Sequence, residues 1–176
     1  MDSFKIKYKY GNWKSLQKSI KKYPEESNPF TITSTTAYIS IIVNGVLAKG
    51  NHWTSIKLRS LATTSMWLWD FCLIVTSQAT KINDRKIHKI VFIDDPTTLT
   101  FTLENDLVNL SVYLGGNTYH AKVPYKEFMT EISSLADSFI LDLNSINPKI
   151  SENNQFKQIA ENRDKIKKML EITHEK

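Results

Sequence analysis

Cysteine is almost absent from this chain: Cys72 stands alone among 176 residues. That excludes an internal disulfide framework and suits a reducing compartment. Glycine and proline are scarce as well, five of each. No phosphate-cradling glycine loop and no nucleophile elbow can be found, since both need glycines at fixed offsets. The histidines are His52, His88, His120 and His174. None stands at metal-ligand spacing from another His or Cys, or from a carboxylate expected to be buried. No acid, base or nucleophile can be nominated, so the sequence offers no catalytic residue, no metal ligand and no cofactor, and reads as a non-enzyme. The N-terminus, Met1 to Lys7, has no apolar run and reads as lacking a secretory signal; a cytoplasmic location is the expectation.

Long apolar runs are missing too. The most apolar stretch is Ser65-Met66-Trp67-Leu68-Trp69-Asp70-Phe71-Cys72-Leu73-Ile74-Val75. Its apolar part is about half of the roughly 20 residues that a membrane span needs. Asp70 interrupts it, and Thr63, Thr64, Thr76, Ser77 and Gln78 flank it. Leu58, Leu61, Ser65, Leu68, Cys72 and Val75 recur at helical spacing, with Trp67, Phe71 and Ile74 on a second stripe. This predicts a buried central helix over 60–77, covered on both sides, and no membrane partner. Asp70 then needs a backbone or indole partner or an exposed edge, and Cys72 reads as an inert core thiol.

What is present is a polarised charge pattern. Residues 1–22 carry Lys5, Lys7, Lys9, Lys14, Lys18, Lys21 and Lys22 against Asp2, a net +6 in a chain whose total is +5. Residues 93–106 carry Asp94, Asp95, Glu104 and Asp106 with no base. Such asymmetry steers charged partners.

The remaining pattern predicts one α+β domain, an antiparallel meander packed on the central helix and on C-terminal helices. Phe4, Ile6, Tyr8 and Tyr10 alternate with lysines as a strand, and Asn12 caps a short helix carrying Trp13, Leu16 and Ile20, making a basic strand–helix unit over 1–23. Residues 24–29 read as a loop. Residues 30–58 read as a hairpin region turning at Asn44-Gly45, with a second break at Lys49-Gly50-Asn51. The meander spans 87–123, with turns at 94–97, 104–106 and 115–117. Leu99, Phe101, Leu103, Val108, Leu110, Val112 and Leu114 face one way. Thr98, Thr100, Thr102, Asn109, Ser111 and Tyr113 face the other, so one side is buried and one polar. After Pro124, Tyr125, Phe128, Ile132, Leu135, Phe139 and Leu143 mark a helix over 125–143. Ser151 is placed to cap a final helix to about 174. Its high charge suits weak docking or contacts with a partner.

The Lys5–Lys14 segment, with Tyr8, Tyr10 and Trp13 interleaved, has the composition of a nucleic-acid surface: Lys5, Lys7, Lys9 and Lys14 for phosphates and aromatics for bases. Against that, the strand aromatics lie opposite the lysines and read as core.

Three segments carry a resemblance: Ile39-Ser40-Ile41-Ile42-Val43-Asn44-Gly45, the start of the meander at Phe92-Ile93-Asp94-Asp95-Pro96, and Val123-Pro124-Tyr125-Lys126-Glu127-Phe128 with the helix behind it. Over about 30–143 the layout resembles small bacterial immunity proteins that accompany polymorphic or contact-dependent toxins. The resemblance implies a non-enzymatic fold that binds a cognate toxin domain and blocks its active site. Inhibitors of nuclease toxins often present acidic surface, whereas this chain is net basic. Asp94, Asp95, Glu104 and Asp106 are therefore the candidate contact residues, with turn chemistry as their simpler explanation.

Overall fold

The N-terminal alternation forms strand β1, Phe4–Tyr10, with Phe4 and Ile6 buried and Lys7 and Lys9 exposed. Asn12 caps helix α1, Trp13–Lys22, its Oδ1 accepting from the Ser15 N–H at 3.0 Å. The computed structural model describes residues 4–22, 36–49, 52–91, 98–114 and 116–172. The expected loop at 24–29, the start of the expected hairpin region and the Asp94–Thr97 turn lie outside these.

Strands β2, Thr36–Lys49, and β3, His52–Trp67, come next, followed by helix α2, Leu68–Ala79. A 3₁₀ turn over Ile82–Asp84 leads to β4, His88–Val91. The meander continues with β5, Thr98–Glu104, β6, Leu107–Leu114, and β7, Asn117–Pro124. Helix α3, Tyr125–Ile146, a 3₁₀ turn over Pro148–Glu152, and helix α4, Asn154–Ile172, complete the order.

All seven strands join in one antiparallel sheet. β3 pairs with β2 from end to end. The opposite edge of β2 takes β1 along Ala37–Val43 and β7 along Leu47–Lys49. From β7 the sheet runs through β6 and β5 to β4.

Two expectations are corrected here. Asn44-Gly45 is not a hairpin turn: β2 runs through it, and the reversal falls between Lys49 and His52, which pair. Residues 60–67 are not helical: they complete β3, and the central helix begins only at Leu68. The physical reason is a bulged strand. Ile41 pairs with Ala62 and Ile42 with Ser60, so Leu61 is an inserted residue. A second register shift lies between the pairs Val43–Arg59 and Gly45–Ile56. Each insertion stretches a spacing of two into three: alternate residues Ile41, Val43 and Gly45 pair with Ala62, Arg59 and Ile56, a spacing that departs from strand alternation and approaches that of a helix.

Helices cover one face of the sheet. Ala37, Ile39, Ile41, Ile90, Leu99, Phe101, Val108, Leu110, Val112, Ala121 and Val123 are all buried there. Phe128 of α3 packs on Phe4 and Phe101, with ring centroids 5.3 and 5.0 Å apart. α2 is covered on both sides, as its two stripes require. Trp69 meets Phe139 of α3 edge-on at 5.6 Å and Phe156 of α4 at 6.3 Å. Its indole N–H donates to Gln155 Oε1 at 2.9 Å. Asp70 therefore has no claim on that indole. It sits in the first turn of α2, not mid-helix, half-buried, where burial pushes its carboxyl above the usual value. Cys72 is fully enclosed, and burial drives its thiol pKa far up.

α4 docks firmly. Phe156, Ile159, Asn162 and Ile166 are buried, and Arg163 and Lys167 both reach Asp137 of α3, at 3.0 and 2.8 Å. Burial alone would raise the Asp137 carboxyl, but its bonds to Lys167 and Arg163 outweigh that and hold it below the usual value. The α4 cap is also corrected. Asn153, not Ser151, accepts from the Gln155 and Phe156 N–H groups, at 2.9 and 3.1 Å. Ser151 instead donates to the Pro148 carbonyl inside the preceding turn. Among the described residues no helix is long and apolar enough to cross a membrane.

Candidate binding surface

Because α2, α3 and α4 line one face, the alternate residues of each strand form a second face that the helices leave uncovered. Strand register fixes its rows. Val91 pairs with Thr98, Thr98 with Tyr113 and Tyr113 with Thr118. The next row is Lys89, Thr100, Ser111, His120, and the next Thr102, Asn109, Lys122. On the far side of the sheet, Lys7 pairs with Ser40 and Lys9 with Tyr38. Hydroxyls, amides and lysines dominate, yet Tyr38, Val91 and Tyr113 are 55%, 53% and 39% exposed.

Part of this face is concave. Cα atoms of β3 and β6 come within 8 Å although β2 and β7 separate them in the sheet. Neighbouring strands are about 4.8 Å apart, so a flat sheet would hold the two at roughly three such spacings. The sheet must curl. Asn109, Ser111, His120 and Lys122 line a depression of about 230 Å³ there. Ser111 Oγ lies 2.7 Å from His120 Nδ1. Asn109 donates from Nδ2 to Glu104 at 2.9 Å, while its Oδ1 is buried with no partner among the described residues. A hydroxyl–imidazole contact resembles half of a nucleophile–base pair. Nucleophilic chemistry also needs an orienting group on the imidazole and donors for an oxyanion. Among the described residues His120 Nε2 meets no carboxylate.

The candidate residues divide unevenly. Glu104 and Asp106 flank Asn105, whose φ of 54° makes the β5–β6 turn. Glu104 is held by Asn109, and the Asp106 carbonyl accepts from the Tyr125 N–H at 2.8 Å, fastening this turn to α3. Both acids thus sit at one end of the uncovered face, in positions that turn chemistry already favours. Asp94 and Asp95 lie outside the described residues. Lys5, Lys7 and Lys9 extend from the uncovered face of β1, but Lys14 is on α1, which packs against α3 in the helical layer. The four lysines are therefore not brought together. Tyr8 and Tyr10 point to the helices and donate to Asp142 Oδ2 at 2.8 and 2.9 Å, and Trp13 packs on Tyr10 at 4.7 Å. Those aromatics are committed to the core side.

His88 and His120 share the sheet but not a face. His88 is buried on the helix side, stacked on Phe101, with Nδ1 2.9 Å from Gln78 Oε1 and Nε2 3.1 Å from Asp84 Oδ1. The Lys86 backbone N–H, aided by His88, holds the Asp84 carboxyl below its usual value. Among the described residues no three His, Cys, Asp or Glu side chains converge as metal ligands. Tyr38, Lys89, Val91, Tyr113 and Lys122 were not singled out by sequence. The available signal was a large aromatic, Tyr113, at an otherwise polar position of β6.

Compared with protein-family models, with curated proteins and with solved structures, the chain matches none.

Proposed function

We propose that this chain works by binding another protein, through the face of its sheet that the helices leave open. The observation that carries this is the pairing of exposed Tyr113 and Val91 with a field of threonines and the cations Lys89 and Lys122. Aromatics ringed by small polar groups suit protein recognition, because a ring supplies contact area at little entropic cost. The lysines favour an acidic partner surface. A toxin domain neutralised by occlusion is the specific partner that the resemblance suggests. The Glu104–Asp106 turn would then stand at the rim, where charges set association rates more than affinity.

The test is affinity capture of the tagged chain from its native cells. One protein in stoichiometric amount is expected with the native chain, and its loss with Tyr113→Glu. Equal recovery with both would contradict the reading.

A second reading, nucleic-acid binding, is favoured by one contact: Tyr38 is exposed directly across from Lys9. An aromatic beside cations is a stacking platform for single strands. It predicts binding to random-sequence RNA that falls steeply with salt, the log–log slope shrinking by about one when Lys9 is removed.

A further inference from the structure

The strands at the two ends of the sheet path treat their outer edges differently. At β1, Glu131 of α3 reaches over the edge, and the Ile6 N–H donates to its Oε2 at 3.4 Å. At β4 the described residues supply no such cover: His88–Val91 pairs with β5 alone. An uncovered edge leaves alternate backbone N–H and C=O groups open to another strand.

The side chains around that edge are specific in kind. Ile87 is 75% exposed and Val91 53%. Lys89, between them on the same side of the strand, is exposed. Arg85 is exposed just upstream, and neither cation makes an ion pair among the described residues. Lys86 adds a third exposed positive charge. Two exposed aliphatic side chains separated by a cation form an apolar–basic–apolar row, adjoining Thr98 and Thr100 of β5.

We propose that the β4 edge takes an extended, acidic segment of a protein partner as an added strand. Main-chain hydrogen bonds hold the segment in place. An acidic side chain sits opposite Lys89, with aliphatic side chains opposite Ile87 and Val91. This rests on the protein-binding reading and locates one element of the contact. A second copy of this chain fits poorly. Antiparallel pairing that sets Ile87 against its counterpart's Val91 also sets Lys89 against Lys89, and like charges directly opposite are unfavourable.

The test uses a short synthetic peptide that alternates threonine with, in turn, valine, glutamate and valine, and a matched peptide with lysine in place of the glutamate. Titration by fluorescence anisotropy is combined with hydrogen exchange. The glutamate peptide should slow exchange at His88–Val91. Its affinity should exceed that of the lysine peptide by about tenfold or more at low salt and fall as salt rises. Lys89→Glu, an exposed change, should reverse the preference. No slowing at β4, or a preference that Lys89→Glu leaves unchanged, overturns the proposal. Protection that appears on β5–β7 and spares β4 would overturn it while leaving the open-face reading intact. A concentration-dependent dimer that Lys89→Glu disrupts would name the wrong occupant and overturn it too.

Discussion

Tyr8 and Tyr10 share one acceptor. Both hydroxyls donate to Asp142 Oδ2 and so tie β1 to the C-terminal part of α3. Burial, with Asp142 close by, pushes the Tyr8 pKa well above its ordinary value. Burial, with Tyr8 and Asp142 close by, does the same for Tyr10. An unfolded tyrosine ionises near pH 10, while these stay protonated in the folded chain, so above that pH the native state holds more protons than the unfolded one. Stability contributed by a raised pKa is present below the unfolded value and is lost as pH climbs past it. Urea denaturation should therefore show no tyrosine-linked loss up to pH about 9 and a steepening loss beyond about 10. In Tyr8→Phe/Tyr10→Phe that slope should flatten. Each single change should cost about 1.5–3 kcal/mol at pH 7, as for a hydrogen bond to a charged group. An unchanged alkaline slope would mean that the hydroxyls do not carry it. The orientation of these two rings was legible from strict alternation with Lys5, Lys7 and Lys9, whereas their shared carboxylate lies 132 to 134 residues away in sequence. Pattern along a chain cannot register such a partner.

Elements were legible where one rule governed them. β5 and β6 alternate cleanly, turn at Asn105 and appear where their spacing placed them. α3 follows Pro124 and keeps its apolar stripe, running to Ile146. The reading failed where two rules competed. Asn44-Gly45 has strong turn chemistry, yet pairing with β3 resumes past a register shift there, and β1 before it and β7 after it hold the other edge, so the strand runs on. Residues 60–67 read as helix because a bulge at Leu61 breaks the alternation and the strand runs directly into the apolar helix α2. At α4 two capping residues stood close together, and the 3₁₀ turn decided between them by leaving Asn153, not Ser151, at the helix entrance. Asn153→Ala should accordingly destabilise the protein by about 1 kcal/mol, up to about 2, the usual cost of a lost N-cap. Ser151→Ala should stay within about 0.5 kcal/mol, as for an exposed site. Thermal denaturation of the two variants checks this, and the opposite ranking would return the cap to Ser151.

The molecule as a whole is asymmetric in what it covers. Its helices, its fully buried aromatic side chains and the Asp137 ion pairs lie on one side of the sheet. The other side presents hydroxyls, exposed rings and lysines, and ends at β4 in an edge no described residue covers. The polar character of that side was legible in Thr98, Thr100, Thr102, Asn109 and Ser111. Alternation likewise put Tyr113 on that side, but the curl of the sheet toward β3 was not legible, since it depends on strands distant in sequence coming together. If recognition uses this side, a bound partner must shield it and leave the helices open. Lysine acetylation of the chain, alone and with its captured partner, followed by mass spectrometry, measures this directly. Lys89 and Lys122 should lose reactivity on binding, while Lys157, Lys165 and Lys168 on α4 keep theirs; the reverse pattern would contradict the account.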